Sequence, residues 1–179
     1  QTGYTVSGVQ LAGHCGSVED LVQTRWEDWY ASVCKAADEL KKHVNQLYIA
    51  GLSMGGYGAF KIALASNKFS YAASLSGAIS FESVAREEMG DLSYWQGVFG
   101  DLDKFDESDN SVQKLATEFV ATFGYDKPKL YAWCGHQDFL YPANNFAVQD
   151  LKNKDFDIVY ETTDGTHEWY YWTKMMDRV

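Results

Sequence analysis

The sequence predicts an α/β fold, a mostly parallel sheet of about five strands with helices on both faces. Three observations point there. Short apolar runs alternate with longer segments of helical periodicity. Glycines and polar residues punctuate them, and proline occurs only at Pro128 and Pro142. The pentapeptide Gly51-Leu52-Ser53-Met54-Gly55 stands between an apolar run and a helical one. The length of 179 residues fits a single domain over 1–179.

In chain order, residues 4–11 read as a first strand, broken by Gly13 and Gly16. Thr24-Arg25-Trp26-Glu27 fits a capping box, in which the threonine oxygen and the glutamate carboxylate satisfy free helix N–H groups. Behind it Trp26, Trp29, Val33, Leu40 and Val44 recur at helical spacing, predicting a helix that ends near residues 43–45. His43 there reads as a helix-end residue facing the negative end of the helix dipole. Residues 47–52 suit a buried strand, 55–65 a helix, and 72–75 another strand ending near Gly77. Residues 81–111 combine acids such as Glu82, Glu88, Asp101 and Asp109 with Tyr94, Trp95, Phe99 and Phe105. Two readings weigh equally there: a cap excursion, or a solvated helical face with a few core anchors. Then follow a helix over 112–123, a strand over 130–134, a helix over 143–151, a strand over 156–161 and a last helix over 168–176.

Apolar residues make up 46% and charged residues 22%, an ordinary globular balance in a chain long enough to bury a core. The net charge of −10 argues against nucleic acid and anionic membranes, because like charges repel. No run approaches the ~18 apolar residues of a membrane span, and no basic and apolar leader is visible. Cys15, Cys34 and Cys134 are odd in number and form no C-x-x-C, which argues against a disulfide scaffold or a zinc site. A reducing, cytoplasmic setting is the expectation.

The pentapeptide is a G-x-S-x-G motif, and chemistry explains its spacing. A serine nucleophile must project above the sheet so that a base reaches its hydroxyl. A sharp strand-to-helix turn does this, at the cost of backbone strain and close approach of the residues on either side. Small residues are expected there, hence Gly51 and Gly55, with Gly56, Gly58 and Ala59 continuing the small face. The helix then aims its N-terminus and the N–H of Met54 at developing negative charge.

Serine needs a histidine base, and the histidine needs a carboxylate to fix its tautomer. On such a turn the chain order is Ser, acid, His. Only His136 and His167 follow Ser53. His167 comes directly after the last predicted strand, where such sheets place catalytic groups. Asp138 lies at the end of the preceding strand and is the chosen acid. Asp164 is its rival, but stands only three residues from His167. His136 reads as a rim residue.

At these segments the chain resembles a known family. Gly51-Leu52-Ser53-Met54-Gly55-Gly56-Tyr57-Gly58-Ala59-Phe60, Tyr94-Trp95-Gln96-Gly97-Val98-Phe99-Gly100, Trp133-Cys134-Gly135-His136-Gln137-Asp138-Phe139-Leu140-Tyr141 and Gly165-Thr166-His167-Glu168-Trp169 look like the tributyrin esterase and esterase D group. The resemblance runs from about residue 50 onward. It implies an α/β-hydrolase-like fold, here N-terminally shortened. It also implies a serine carboxylesterase acting on short acyl esters, with Ser53, Asp138 and His167 as the triad. The first third, with Leu11-Ala12-Gly13-His14-Cys15-Gly16 and Thr24-Arg25-Trp26-Glu27-Asp28-Trp29, resembles carboxylesterases close to monoacylglycerol lipases. Their loop reads Gly-His-Gly, and Cys15 departs from it. The chain thus looks like a hybrid joined near the serine turn. The hybrid reads as a natural recombinant or an engineered one, and with Gln1 at its start the chain reads as a fragment, a processed product or an engineered piece.

Both branches carry an early His-Gly loop that gives a second oxyanion donor. The expected substitute is the loop after the first predicted strand, through the backbone N–H of Ala12, Gly13 or His14. Trp95, Phe99, Phe139 and Tyr141 are candidates to line an acyl pocket. No metal or cofactor is needed, and the expected partner is a small-molecule ester. The alternatives within this chemistry are a thioesterase or a feruloyl-type esterase. From another class comes a catalytically weak hydrolase-fold fragment or binding protein without a complete oxyanion hole.

Overall fold

The computed structural model describes residues 5–81, 86–87, 91–124 and 126–179. The chain divides into two compact units, Gln1–Leu47 and Tyr48–Val179.

The first unit holds α1 (Val18–Val22) and α2 (Trp26–Lys41). The sequence reading missed α1, whose capping box is formed by Ser17 and Asp20: Ser17 Oγ accepts the Asp20 N–H at 3.1 Å, and Asp20 Oδ2 accepts the Ser17 N–H at 3.0 Å. At α2 the box sits one residue later than expected. Asp28 Oδ2 accepts the Arg25 N–H at 2.9 Å. Thr24 is occupied otherwise, donating to the Leu21 carbonyl at 2.8 Å and accepting from Trp29 Nε1 at 3.0 Å. The strand expected over 4–11 is absent from its described part, residues 5–11. Residue 4 lies outside the described residues. A strand needs a hydrogen-bonded neighbour and a buried face, and here Val6 is 84% exposed.

The second unit runs β1 (Tyr48–Leu52), α3 (Met54–Leu64), β2 (Tyr71–Leu75), α4 (Ser93–Phe99), a 3₁₀ turn (Leu102–Glu107), α5 (Val112–Phe123), β3 (Lys129–Gly135), α6 (Tyr141–Asn153), β4 (Ile158–Thr163) and α7 (Trp169–Met175). The strands form one parallel sheet in the order β1-β2-β3-β4. The described residues therefore make four strands where about five were expected, the difference being the segment before residue 12.

Register places Leu52 opposite Leu75 and Leu75 opposite Trp133. Side chains alternate across a sheet, so these three share one face. Trp172 and Met175 of α7 pack on it. Ser74 points to the other face, where α3 approaches so closely that a Cβ on Gly56 would stand 2.7 Å from Ser74 Oγ. There α3 covers β1 and β2, α6 covers β3 and β4, and α5 packs against both helices. Fully buried Phe60, Ala63, Ala132 and Cys134 fill this layer.

Of the acidic excursion, residues 82–85 and 88–90 lie outside the described residues. Its described aromatics are anchors. Phe81 sits with its ring centroid 5.3 Å from Trp95, 5.2 Å from Phe99 and 4.9 Å from Phe105. Its far end is tied to α3, where Tyr57 Oη donates to the Asn110 carbonyl at 2.9 Å and Lys61 Nζ to Asn110 Oδ1 at 2.7 Å.

Candidate active site

β1 ends at Leu52 and α3 begins at Met54, so Ser53 alone turns the chain. Its backbone lies at φ 54° and ψ −125°, on the left-handed side that residues with a Cβ rarely enter. Two bonds hold it there. Its N–H donates to the Leu75 carbonyl at 2.8 Å, and its carbonyl accepts the Tyr57 N–H at 3.2 Å. The chain folds back so tightly that a Cβ on Gly51 would stand 2.1 Å from the carbonyl oxygen of Gly55. Gly55 differs from expectation, since a Cβ there meets nothing within 4 Å. It contributes its backbone to the close approach, not its side-chain position. Gly58 is equally open, and Gly56 is the crowded glycine of α3.

Ser53 Oγ lies 2.8 Å from His167 Nε2. His167 Nδ1 lies 2.9 Å and 3.1 Å from the two Asp138 carboxylate oxygens. The Asp138 side chain is 0% exposed and that of His167 is 19% exposed. An ionised carboxylate only accepts hydrogen bonds, so it keeps the proton on Nδ1 and leaves Nε2 to accept from the serine hydroxyl. Asp138 Oδ1 also accepts the Leu140 N–H at 2.9 Å. The structure thus brings together Ser53, Asp138 and His167 from the ends of β1, β3 and β4.

The rival acid turns elsewhere. Asp164 Oδ1 lies 3.3 Å from Gln137 Nε2 and 3.4 Å from His136 Nδ1, and these neighbours hold its carboxyl below the usual carboxylate range. His136 is partly exposed beside it. Cys134 lies at 0% exposure behind the site. Burial, with the charge of Asp138 nearby, pushes its thiol up, so it stays a neutral thiol rather than a competing nucleophile.

The loop carrying His167 is clamped to the loop carrying Asp138. Gln137 N–H donates to the Gly165 carbonyl at 3.0 Å, and Gly165 N–H donates to Gln137 Oε1 at 2.8 Å. A Cβ on Gly135 would stand 2.2 Å from that same carbonyl oxygen. The imidazole is flanked by two rings, Phe139 at 4.7 Å and Trp172 at 4.8 Å between centroids. Trp172 is buried and donates Nε1–H to Ser76 Oγ at 3.1 Å. Ser76 itself sits at φ 49°. Sequence reasoning missed Gln137, Ser76 and Trp172 as supports. The paired glycines Gly135 and Gly165 were the available signal for the clamp; nothing in the sequence marks Ser76.

Of the four residues assigned to an acyl pocket, Phe139 stands at the imidazole. Tyr141 packs edge-on against His136 at 5.4 Å. Trp95 and Phe99 stack on each other at 6.2 Å within the Phe81 cluster. Met54 opens α3, so its N–H has no intrahelical acceptor. Gly13 and His14 belong to the first unit, Gly13 at φ 72°. There the His14 N–H donates to the Leu11 carbonyl at 3.0 Å and the Ala12 N–H to Ser32 Oγ at 3.2 Å. No helix of the described residues is long and apolar enough to cross a membrane.

A family model described as "Putative esterase" matches residues 32–178. An acetyl esterase from Caldicellulosiruptor saccharolyticus is 38% identical over 134 residues, which is 71% of this chain and 50% of that protein. A thermostable monoacylglycerol lipase from Bacillus sp. (strain H-257) is 41% identical over 56 residues, 31% of this chain and 22% of the lipase. The chain therefore spans half or less of the length of these curated relatives. Among solved structures, an S-formylglutathione hydrolase from Staphylococcus aureus superposes with a TM-score of 0.64 at 29% identity, over 84% of this chain and 61% of that one.

Proposed function

The chain belongs to this esterase family, and we propose that it is a serine carboxylesterase hydrolysing short-chain acyl esters. Ser53 Oγ attacks the ester carbonyl while His167 Nε2 takes its proton. Asp138 keeps the imidazole in the accepting tautomer and stabilises the imidazolium that forms. The N–H of Met54, at the start of α3, holds the developing oxyanion. His167 then returns the proton to the leaving alcohol oxygen. Water, deprotonated by the same imidazole, releases the acid from Ser53. No step calls for a metal or cofactor.

The reading rests on one observation, the unbroken relay from Ser53 Oγ to His167 Nε2 at 2.8 Å and from Nδ1 to Asp138 at 2.9 Å. The Met54 N–H is one oxyanion donor, free of an intrahelical acceptor at the start of α3. Each such donor contributes about 10²–10³ in kcat.

The test is hydrolysis of p-nitrophenyl acetate and butyrate, with Ser53→Ala as the blank. Turnover lost in the variant supports the reading. Turnover equal to the blank in a folded protein rejects it. Thioester hydrolysis is the second reading, favoured by the 29% identity to an S-formylglutathione hydrolase. Matched thioester and oxygen-ester substrates separate the two.

A further inference from the structure

The ester reading leaves the alcohol half of the substrate unassigned, and the surroundings of His167 specify it. Resting on that reading, we propose that Phe139 forms the alcohol-side subsite, and that the subsite takes an uncharged leaving group bearing an aromatic ring.

The leaving oxygen must receive its proton from His167 Nε2, so the alcohol lies over the imidazole rather than along α3. Two rings touch that imidazole. Trp172 is buried and fixed to Ser76, so it supports the imidazole from within. Phe139 is 48% exposed, with its centroid 4.7 Å from the imidazole, so it presents a free aromatic face where the alcohol must pass. Trp169, at the start of α7 and two residues past the histidine, is 69% exposed and stands edge-on to Trp172 at 5.5 Å, a second exposed ring near the imidazole. Exposed aromatic surface of this kind gains most by covering another ring. It is idle with a small alkyl alcohol.

Charge sets the second half of the assignment. Asp164 is 90% exposed at one side of the histidine loop. Glu168 follows His167, and its Oε2 accepts the Thr166 hydroxyl at 2.8 Å, which holds the carboxylate against the loop. Both repel an anionic leaving group. The arrangement moves Phe139 from the acyl pocket, where sequence reasoning put it, to the opposite end of the ester.

The experiment compares Ser53-dependent kcat/KM for benzyl acetate, ethyl acetate and 4-(acetoxymethyl)benzoate in the wild type, Phe139→Ala and Phe139→Tyr. Wild type is expected to favour the benzyl over the ethyl ester about 10-fold or more. Phe139→Ala removes most of that ratio and Phe139→Tyr keeps it. The carboxylated ester falls several-fold below benzyl acetate, a gap that narrows as salt screens the acids. The butyrate-to-acetate ratio at a fixed alcohol does not follow these changes. An unchanged benzyl-to-ethyl ratio in Phe139→Ala overturns the assignment, as does a shift confined to the butyrate-to-acetate ratio. Absence of Ser53-dependent turnover on every ester rejects the esterase reading itself, and this subsite with it.

Discussion

A Cβ added to Gly51 would lie 2.1 Å from the carbonyl oxygen of Gly55, while one added to Gly55 meets nothing within 4 Å. The two glycines of the motif are thus unequal. Gly51→Ala forces backbone apart at the serine turn and is expected to destabilise the fold by about 1–3 kcal/mol or more. Gly55→Ala lies in the first turn of α3 and removes the entropic penalty of a helical glycine, so it is expected to stabilise by up to about 1 kcal/mol. Urea unfolding of both variants checks the asymmetry, and equal losses would disprove it.

Asp138→Asn tests the tautomer. The Leu140 N–H needs an acceptor, so the asparagine oxygen stays at that position, now taken by Asp138 Oδ1. Its amide N–H₂ then faces His167 Nδ1, which must become the acceptor. The proton moves to Nε2, which no longer accepts from Ser53. On this argument kcat falls by about 10⁴ while the fold survives. A loss under tenfold, read by ester hydrolysis beside circular dichroism, contradicts it.

Gln137→Ala is expected to act through geometry. It removes the acceptor of the Gly165 N–H, the side-chain half of the clamp on the histidine loop. Displacing the imidazole by about 1 Å costs on the order of 10² in rate. The loss should fall on kcat, with KM nearly unchanged. A change confined to KM argues for substrate contact instead.

Three tyrosines report burial through pH. Burial, helped by the charge of Glu161, pushes the Tyr131 phenol up to about 12. Burial pushes Tyr57 and Tyr160 up as well. The fold thus prefers the neutral phenols. The contribution of Tyr131 to stability is complete below the unfolded phenol value of about 10 and is lost as pH rises from there through about 12, while that of the other two persists to higher pH. Phenolate absorbance at about pH 11 should rise less in the native than in the urea-unfolded protein. Equal absorbance would show that these phenols are solvated.

Much of the second unit was legible because each strand reads as an apolar run and each following helix as a periodic one. The helix expected over 112–123 is α5 residue for residue. Ser53, Asp138 and His167 were legible as a set because the motif fixes one member and chain order restricts the others. The supports were not. Gln137 acts through Gly165, and Ser76 through Trp172, from 28 and 96 residues away. Such pairings arise only once the strands are in register. The strand expected over 4–11 failed for a related reason. Alternating apolar residues describe a face but not the neighbour that face requires, and Val6 has none burying it.

Ser53 and His167 bond across a sequence separation of 114 residues, with Asp138 29 residues before the histidine. Every strand of the parallel sheet lies between the first and last of these groups or directly before them. No shorter stretch of chain carries a working relay, and closing a loop of that length is among the slower steps of folding. On the proposed function, ester hydrolysis therefore reads the completion of the whole sheet. In a refolding time course it should appear after the helical signal, and under mild denaturant it should vanish before that signal does.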